Sequence, residues 1–179
     1  MLLYLFALEA DGPARYGVSR IVPAGVLYAP ARDLFLDMSR NSSPEEIAKA
    51  RQKALKRSGL LLADVKVLQA REEGDKPRYI PVAYRDGVPT GSVATLAQLG
   101  QLAAYVKKLL ERMGSALRSG SIQADPLCRS GSNVPCDWCP YTAACAFQEG
   151  QGEDRYRQVR SRTGDEFWQE LGKEAAENG

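Results

Sequence analysis

The chain has 179 residues, of which 44% are hydrophobic and 26% charged, and its formal net charge is +2. This length suits one domain or a domain with an extension, and a nearly balanced charge neither predicts nor excludes a nucleic-acid partner. No run of roughly 18 apolar residues is present, and the apolar start lacks the features of a signal peptide. We therefore expect a cytoplasmic protein with no membrane partner.

The first elements are predicted from apolar runs. Residues 2–9 indicate an apolar helix that we expect to be buried on several sides and to end at the DGP sequence of residues 11–13. No cap precedes residue 2, so the chain reads as a piece of something longer that starts inside a helix. Residues 23–29, PAGVLYA, indicate a buried strand.

The next segment carries the clearest helix start in the chain. Ser43 and Glu46 form an S-x-x-E capping box, which predicts a helix over residues 44–57. Residues 60–62 indicate only a brief apolar contact. A short helix over residues 63–71 and a polar loop over 72–76 follow.

The second half of the chain is predicted to be mainly helical. Residues 79–84 indicate a strand that Pro81 restricts to an edge or a bulge, and residues 86–87 form a turn. The strongest helix covers residues 92–118, and a final helix covers residues 165–176. The long helix carries one apolar stripe formed by Leu96, Leu99, Leu102, Val106, Leu109, Met113 and Leu117.

Three of the four cysteines lie within ten residues, in a chain without histidine. Cys136, Cys139 and Cys145 have the spacing C-x2-C-x5-C, and Cys128 lies eight residues earlier. An iron–sulfur cluster takes unevenly spaced thiolates, so the pattern favours that cofactor. The alternatives are zinc, which more often uses two C-x2-C pairs or histidine, and ordinary reduced thiols.

The surroundings of the cysteines add two expectations. Cys128 is either the fourth ligand or a bystander. The aromatic side chains of Trp138, Tyr141 and Phe147 can screen a cluster from water, which affects its stability and potential.

A basic segment follows the cysteines. Tyr156 interrupts a series of arginines formed by Arg155, Arg157, Arg160 and Arg162. Cations that alternate with an aromatic ring can hold a phosphate backbone while the ring stacks on a base, so Arg155, Arg157 and Arg160 are candidate DNA contacts. The alternative is a solvated segment that balances the carboxylates nearby.

The sequence PCDWCPYTAACAF, placed after a long amphipathic helix and the stretch GSIQADPL, resembles the carboxy-terminal region of the AddB family. These proteins belong to the bacterial AddAB helicase–nucleases and are called RexB in some lineages. The stretches PAGVLYAPARD, SGLLLADVKVLQA, IPVAYRDG and DRYRQVRSRTGDEFWQEL are similar to family segments in the same order. The resemblance covers nearly the whole chain.

The resemblance implies an α/β (α+β) fold, the carboxy-terminal part of a PD-(D/E)XK nuclease domain. It implies residual nuclease elements over residues 1–125, a cluster-binding loop over 126–150 and a basic tail with a terminal helix over 151–179. Cys136, Cys139 and Cys145 correspond to the last three ligands of a [4Fe–4S] cluster. The family's first ligand lies far upstream, so Cys128 is a substitute at most.

The resemblance also implies Mg²⁺-dependent DNA hydrolysis by the intact parent, in double-strand break repair and recombination, with DNA and an AddA-type helicase–nuclease as partners. The catalytic carboxylates and lysine precede a Q-x3-Y motif, of which Tyr4 would be the tyrosine; the alternative for Tyr4 is core packing. The chain alone is therefore expected to be inactive. The alternatives are a free-standing iron–sulfur or zinc interaction module and a remnant of another RecB-like nuclease.

The remaining carboxylates do not form a pattern that would replace the missing catalytic set. The closest candidates are Asp64 with Lys66, in a predicted helix, and Asp75 with Lys76, in a predicted loop. We interpret both pairs as solvated surface charge.

Overall fold

The computed structural model describes residues 1–31, 33–74, 76–129 and 134–176. Asp75 of the predicted polar loop and residues 130–133 of the predicted cluster loop therefore lie outside the described residues. The chain divides into two compact units, Met1–Val106 and Lys107–Gly179, and each is described by itself. Both contain helices together with small sheets, so the fold is mixed α/β.

The first helix is longer and more exposed than predicted. Helix α1 spans Leu2–Tyr16 and includes Pro13, so the DGP sequence does not end it. Pro13 removes one N–H donor from the helix without ending it, and the helix ends instead at Gly17, whose left-handed backbone (φ 65°) glycine adopts easily. The expectation of burial is also wrong, since within α1 only Gly12 is buried, against Ile21.

A three-stranded sheet organises the first unit. Strand β2 (Ser58–Leu62) lies in the centre, antiparallel to β1 (Gly25–Tyr28) and parallel to β5 (Val93–Ala94). Strand β1 confirms the prediction, whereas β2 replaces a segment for which the sequence indicates only an apolar contact. Its five residues include Gly59 and three consecutive leucines, so the segment lacks the alternation of apolar and polar residues that marks a strand.

Two capped helices flank β2 along the sequence. Helix α2 (Pro44–Ala54) has the predicted capping box: the Glu46 N–H donates to Ser43 Oγ over 3.2 Å, and the Ser43 N–H donates to Glu46 Oε2 over 2.8 Å. The helix ends before Arg57 because the Arg57 N–H donates instead to the carbonyl oxygen of Tyr79 over 2.7 Å. Helix α3 (Val65–Arg71) confirms the predicted short helix.

A β-hairpin follows, with β3 (Val82–Arg85) antiparallel to β4 (Val88–Gly91). Its turn is the predicted one, and Asp86 and Gly87 both have positive φ (50° and 77°), as a type I′ turn requires. Pro81 precedes β3, so it removes no donor from the ladder. Strand β4 was not predicted.

The carboxylate of Glu72 holds the chain that enters the hairpin. Its oxygens accept the N–H groups of Arg78, Tyr79 and Ile80, the first over 2.6 Å. Partial burial acts to raise the pKa of this carboxyl, but these N–H groups and nearby Arg57 outweigh it, so the pKa lies below its ordinary value. Glu72 therefore takes part in the fold as a carboxylate.

The core of the first unit lies between β2, α3 and the hairpin. Its fully or almost fully buried members are Leu61, Leu68, Ile80 and Val82. Leu27, Tyr84 and Val93 pack against them. The core thus joins strands that are up to about 65 residues apart in sequence.

The long helix α4 spans Leu96–Arg118. Thr95 and Gln98 cap it reciprocally, over 3.2 Å and 2.8 Å, so it begins after β5 rather than at Ser92. The predicted stripe is buried at Leu99 and Leu102, whereas Leu117 is 78% exposed. No helix among the described residues is long and apolar enough to cross a membrane.

The second unit ends in helix α6 (Gly164–Ala176), as predicted. Thr163 and Glu166 form another capping box, and the rings of Phe167 and Trp168 meet edge to face with centroids 5.0 Å apart. Leu171 is buried. Two of the three predicted anchors of this helix thus contact each other and the third is enclosed.

Candidate metal centre and basic strand

A short parallel strand pair brings the basic segment beside the cysteine region. Strand β6 (Leu127–Arg129) pairs with β7 (Arg157–Val159), with Cys128 opposite Gln158. The Arg157 N–H donates to the carbonyl oxygen of Pro126 over 3.0 Å at the start of the pair. Strand β7 was not predicted, and β6 overlaps the stretch GSIQADPL, for which a strand was predicted, only at Leu127. Each strand has three residues, and their pairing depends on a contact across about 30 residues.

The first two cysteines of the trio share one turn. Pro135–Trp138 form a 3₁₀ turn that contains Cys136, and Cys139 follows as its cap. The Cys139 N–H donates to the carbonyl oxygen of Cys136 over 3.3 Å. Residues three apart in such a turn lie on the same side of it, so the backbone places these two cysteines as neighbours.

Thr142 connects this turn to the third cysteine. Its hydroxyl lies 2.8 Å from the carbonyl oxygen of Cys139 and 3.2 Å from that of Cys136, and it shares its proton between them. Thr142 also begins helix α5 (Thr142–Cys145), which ends on the third thiol. The Cys145 N–H donates to the carbonyl oxygen of Tyr141 over 2.8 Å. Short-range hydrogen bonds thus link all three cysteines through the backbone.

Tyr156 of the basic segment lies close to the first cysteine. Its ring packs on Phe147 with centroids 5.1 Å apart, and the Cys136 side chain is near enough to influence its hydroxyl. Desolvation, followed by the charges of Cys136 and Glu149, raises the pKa of Tyr156 above its ordinary value. Tyr156 therefore stays a neutral hydrogen-bonding group at physiological pH.

The aromatic screen expected around the cysteines is incomplete. Trp138 and Tyr141 are each 71% exposed, so their rings point largely into solvent. Phe147 is half-buried against Tyr156. Of the three rings expected to shield a cluster, that of Phe147 packs against another side chain, as shielding from water requires.

The three cysteines of the trio have the chemistry to bind a metal through their thiolates. Cys136, Cys139 and Cys145 are free thiols at intermediate or exposed positions, whereas Cys128 is buried on β6 and packs like a small apolar side chain. Among the residues that the structure describes, no three His, Cys, Asp or Glu side chains lie close enough to hold one metal ion. Binding would therefore require the three thiols to rotate toward one another.

The candidate DNA contacts are exposed. Arg157 lies on β7 and pairs with Asp125 over 3.5 Å, both side chains being more than half exposed. Arg155 and Arg160 flank the strand on either side and are also exposed. Arg162 is committed elsewhere, to Glu170 of helix α6 over 2.6 Å. The side chains of Arg155, Arg157 and Arg160 are thus placed at the surface, where a phosphate could reach them.

Tyr4 lies in the other unit, on α1. Its side chain is 75% exposed, so it does not take part in a core in this structure. The alternative of core packing is therefore not found among the described residues.

Relatives of known description match nearly the whole chain. The chain is 33% identical over 172 residues to the B subunit of the ATP-dependent helicase/deoxyribonuclease of Ruminiclostridium cellulolyticum, covering 94% of the chain and 15% of that protein. Proteins of the same description match from Acetivibrio thermocellus, at 30% over 182 residues, and from Moorella thermoacetica, at 33% over 175 residues. These cover 99% and 93% of the chain, and 16% and 15% of the relatives.

Over nearly its whole length the chain is similar to AddB proteins, the B subunits of ATP-dependent helicase/deoxyribonucleases. This confirms the resemblance seen in the sequence. The chain spans about 15% of the length of the curated relatives it matches. No family model matches it.

Two features of the candidate site were missed by reasoning on the sequence. The spacing of Thr142, three residues after Cys139 and at a helix start, was a usable signal, because a hydroxyl at that position commonly bonds nearby backbone. The contact between Tyr156 and Cys136 had no such signal, since it depends on the pairing of β6 with β7. A third feature corrects an interpretation: Asp64 is more than surface charge, because it accepts the N–H groups of Lys66 and Val67 and caps α3.

Proposed function

We propose that this chain is the carboxy-terminal part of an AddB-type ATP-dependent helicase/deoxyribonuclease that acts on DNA in double-strand break repair and recombination. The observation that carries the proposal is the match to proteins of that description over 93–99% of the chain. The proposal includes a PD-(D/E)XK nuclease fold for the intact domain and an AddA-type helicase–nuclease as the partner.

Within that protein, Cys136, Cys139 and Cys145 would be three ligands of a [4Fe–4S] cluster. When bound, such a cluster supplies cross-links whose folding free energy is on the order of 10 kcal/mol in small metal domains. The hydrogen bonds of Thr142 support this role, because they fix the turn that carries two of the cysteines. Cys128, buried on β6, fits the role of a bystander.

Catalysis is not proposed for this chain alone. Tyr4 would be the tyrosine of the Q-x3-Y motif, and its exposure on α1 leaves it free to face an active site supplied by other residues. The closest D-x-K pattern of the chain, Asp64 to Lys66, caps a helix and is not free to bind Mg²⁺ in that conformation. Mg²⁺ would therefore be held by carboxylates that are not among these candidates.

The role of the chain toward DNA would be to hold a strand near β7. Arg155, Arg157 and Arg160 are exposed along one extended segment, which suits successive phosphates. Tyr156, between Arg155 and Arg157, lies close to Cys136 of the cysteine turn. A cluster at the cysteines would thus stabilise the segment that carries the arginines.

Fluorescence anisotropy with a labelled DNA duplex that ends in a single-stranded tail tests this role. Replacing Arg155, Arg157 and Arg160 together by alanine should weaken binding and lower the dependence on salt. The matched control replaces three other exposed arginines, Arg15, Arg71 and Arg85, and keeps the same net charge. Equal affinities of the two triple variants would contradict a DNA role for β7 and favour a module that binds protein.

A further inference from the structure

A groove with a basic rim lies at the end of the β1–β2 pair, in the first unit. Its volume is about 510 Å³, within the range of roughly 300–1,000 Å³ that ligand pockets have, and it is open to solvent. It is lined by Tyr28, Ala29, Pro30, Ala31, Lys56 and Ser58. None of these residues is acidic, and one is a cation.

The register of the sheet sets the two polar walls of this groove. Tyr28 is the last residue of β1 and lies directly opposite Ser58, the first residue of β2. Residues opposite each other in an antiparallel pair project from the same face, so the phenol ring and the Ser58 hydroxyl lie side by side. The ring of Tyr28 is 52% exposed, which leaves it accessible to a flat partner.

Positive charge is concentrated in the segment of the chain that leads from α2 into the groove. Between Ile47 and Ala63 the chain has five cations and no carboxylate, the cations being Lys49, Arg51, Lys53, Lys56 and Arg57. In the part of the chain that the structure describes, none of these five forms an ion pair. Arg51 and Lys53 also lie in the last turn of α2, where cations suit the helix dipole. Lys56 lies beyond the helix and lines the groove itself, so the dipole does not account for it.

We infer that this groove binds single-stranded DNA, with Tyr28 stacking on a base and Lys56 contacting a flanking phosphate. An exposed ring beside a cation without an ion pair is a combination with which proteins hold single strands without reading sequence. The open form of the groove fits an extended chain better than an enclosed mononucleotide. The choice of DNA as the ligand rests on the proposed function. The location of the site does not depend on any residue of β7.

The test measures binding of a fluorescein-labelled 15-mer of deoxythymidine by anisotropy, at several salt concentrations. Tyr28→Leu should weaken binding about tenfold, since one base–ring stack contributes on the order of 1–3 kcal/mol. Tyr28→Phe keeps the ring and should bind like the wild type. Lys56→Gln should weaken binding severalfold and lower the slope of log affinity against log salt by about one.

Matched controls separate this groove from general effects. Tyr16→Leu removes another exposed tyrosine and Lys66→Gln another exposed lysine, and neither residue lines the groove, so both should bind like the wild type. With an abasic 15-mer, which has phosphates but no bases, wild type and Tyr28→Leu should bind equally.

Three results would overturn the inference. One is equal affinity of Tyr28→Leu and Tyr16→Leu for the 15-mer. Another is a loss in Tyr28→Leu that is as large on the abasic strand. The third is no binding of the 15-mer by the wild type. A loss of affinity in the triple variant of Arg155, Arg157 and Arg160, without one in Tyr28→Leu, would reject the groove and leave the proposed function intact.

Discussion

The hydroxyl of Thr142 lies 2.8 Å from the carbonyl oxygen of Cys139. The same hydroxyl reaches the carbonyl oxygen of Cys136 over 3.2 Å, so one side chain joins both ends of the first cysteine turn. Among the described residues, no other side chain donates a hydrogen bond to the backbone of this turn. Its shape therefore depends on a residue that is not itself a metal ligand.

Replacement of Thr142 tests whether this turn matters for metal binding. Thr142→Val keeps the side-chain shape and removes the hydroxyl, which contributes about 1 kcal/mol as a neutral hydrogen bond. Release of bound iron to a chelator, followed by absorbance, should be about fivefold faster. Thr142→Ser keeps the hydroxyl and is the control. Equal release rates of the valine and serine variants would show that the hydrogen bond does not support the site.

Glu72 gives a prediction with a defined pH dependence. Glu72→Gln removes a carboxylate that accepts three N–H groups, and should lower the free energy of unfolding by about 1 kcal/mol at pH 7, a modest value because the site is partly exposed. The pKa of this carboxyl is lowered in the fold, so its contribution is complete above the ordinary value of about 4.5 and is lost as pH falls through the folded value.

Urea unfolding at pH 7 and at progressively lower pH measures this effect. The difference between wild type and Glu72→Gln should shrink as the pH falls below about 4.5. Glu73→Gln, on the neighbouring exposed glutamate, should have no such effect. A difference that stays constant down to pH 3 would contradict the assignment of the hydrogen bonds to the ionised form.

Leu61 tests whether β2 is the centre of the first unit. This side chain is fully buried, and Leu61→Ala should lower the free energy of unfolding by about 2–5 kcal/mol. Leu3→Ala makes the same chemical change at a half-exposed position of α1 and should cost about 1 kcal/mol or less. Thermal and urea unfolding measure both. Similar losses in the two variants would contradict the central place of β2 in the first unit.

The parts of the fold that local sequence decides were predictable. The capping box of Ser43 and Glu46 and the turn at Asp86 and Gly87 depend on residues within four positions of one another, and both are present in the structure. Strand β2 was missed because its place comes from β1 and β5, which lie about 30 residues away on either side.

The solvent exposure of side chains was less predictable than the secondary structure. The apolar face of α1 was expected to be buried, and the apolar stripe of α4 extends to its last turn, yet Leu3 and Leu117 are exposed. An apolar stripe predicts that a helix packs against another apolar surface, but it does not show which residues form that surface.

In the candidate site, too, local features were predictable from the sequence and long-range contacts were not. The positions of Cys136, Cys139 and Cys145, and the turn that Cys136 and Cys139 share, could be read from spacing alone. The contact of Tyr156 with Cys136 could not, because it requires β7 to pair with β6. The metal itself also lies beyond the sequence, since three thiols fit either iron–sulfur or zinc chemistry.

Iron and acid-labile sulfide content, measured together with the visible spectrum after reconstitution and purification without oxygen, tests the role of the cysteine trio most directly. The wild type should contain both elements and absorb in the brown iron–sulfur band. Cys136→Ser should lose most of both, whereas Cys128→Ser should keep them because Cys128 is buried on β6. Equal iron and sulfide in Cys136→Ser and the wild type would contradict the assignment.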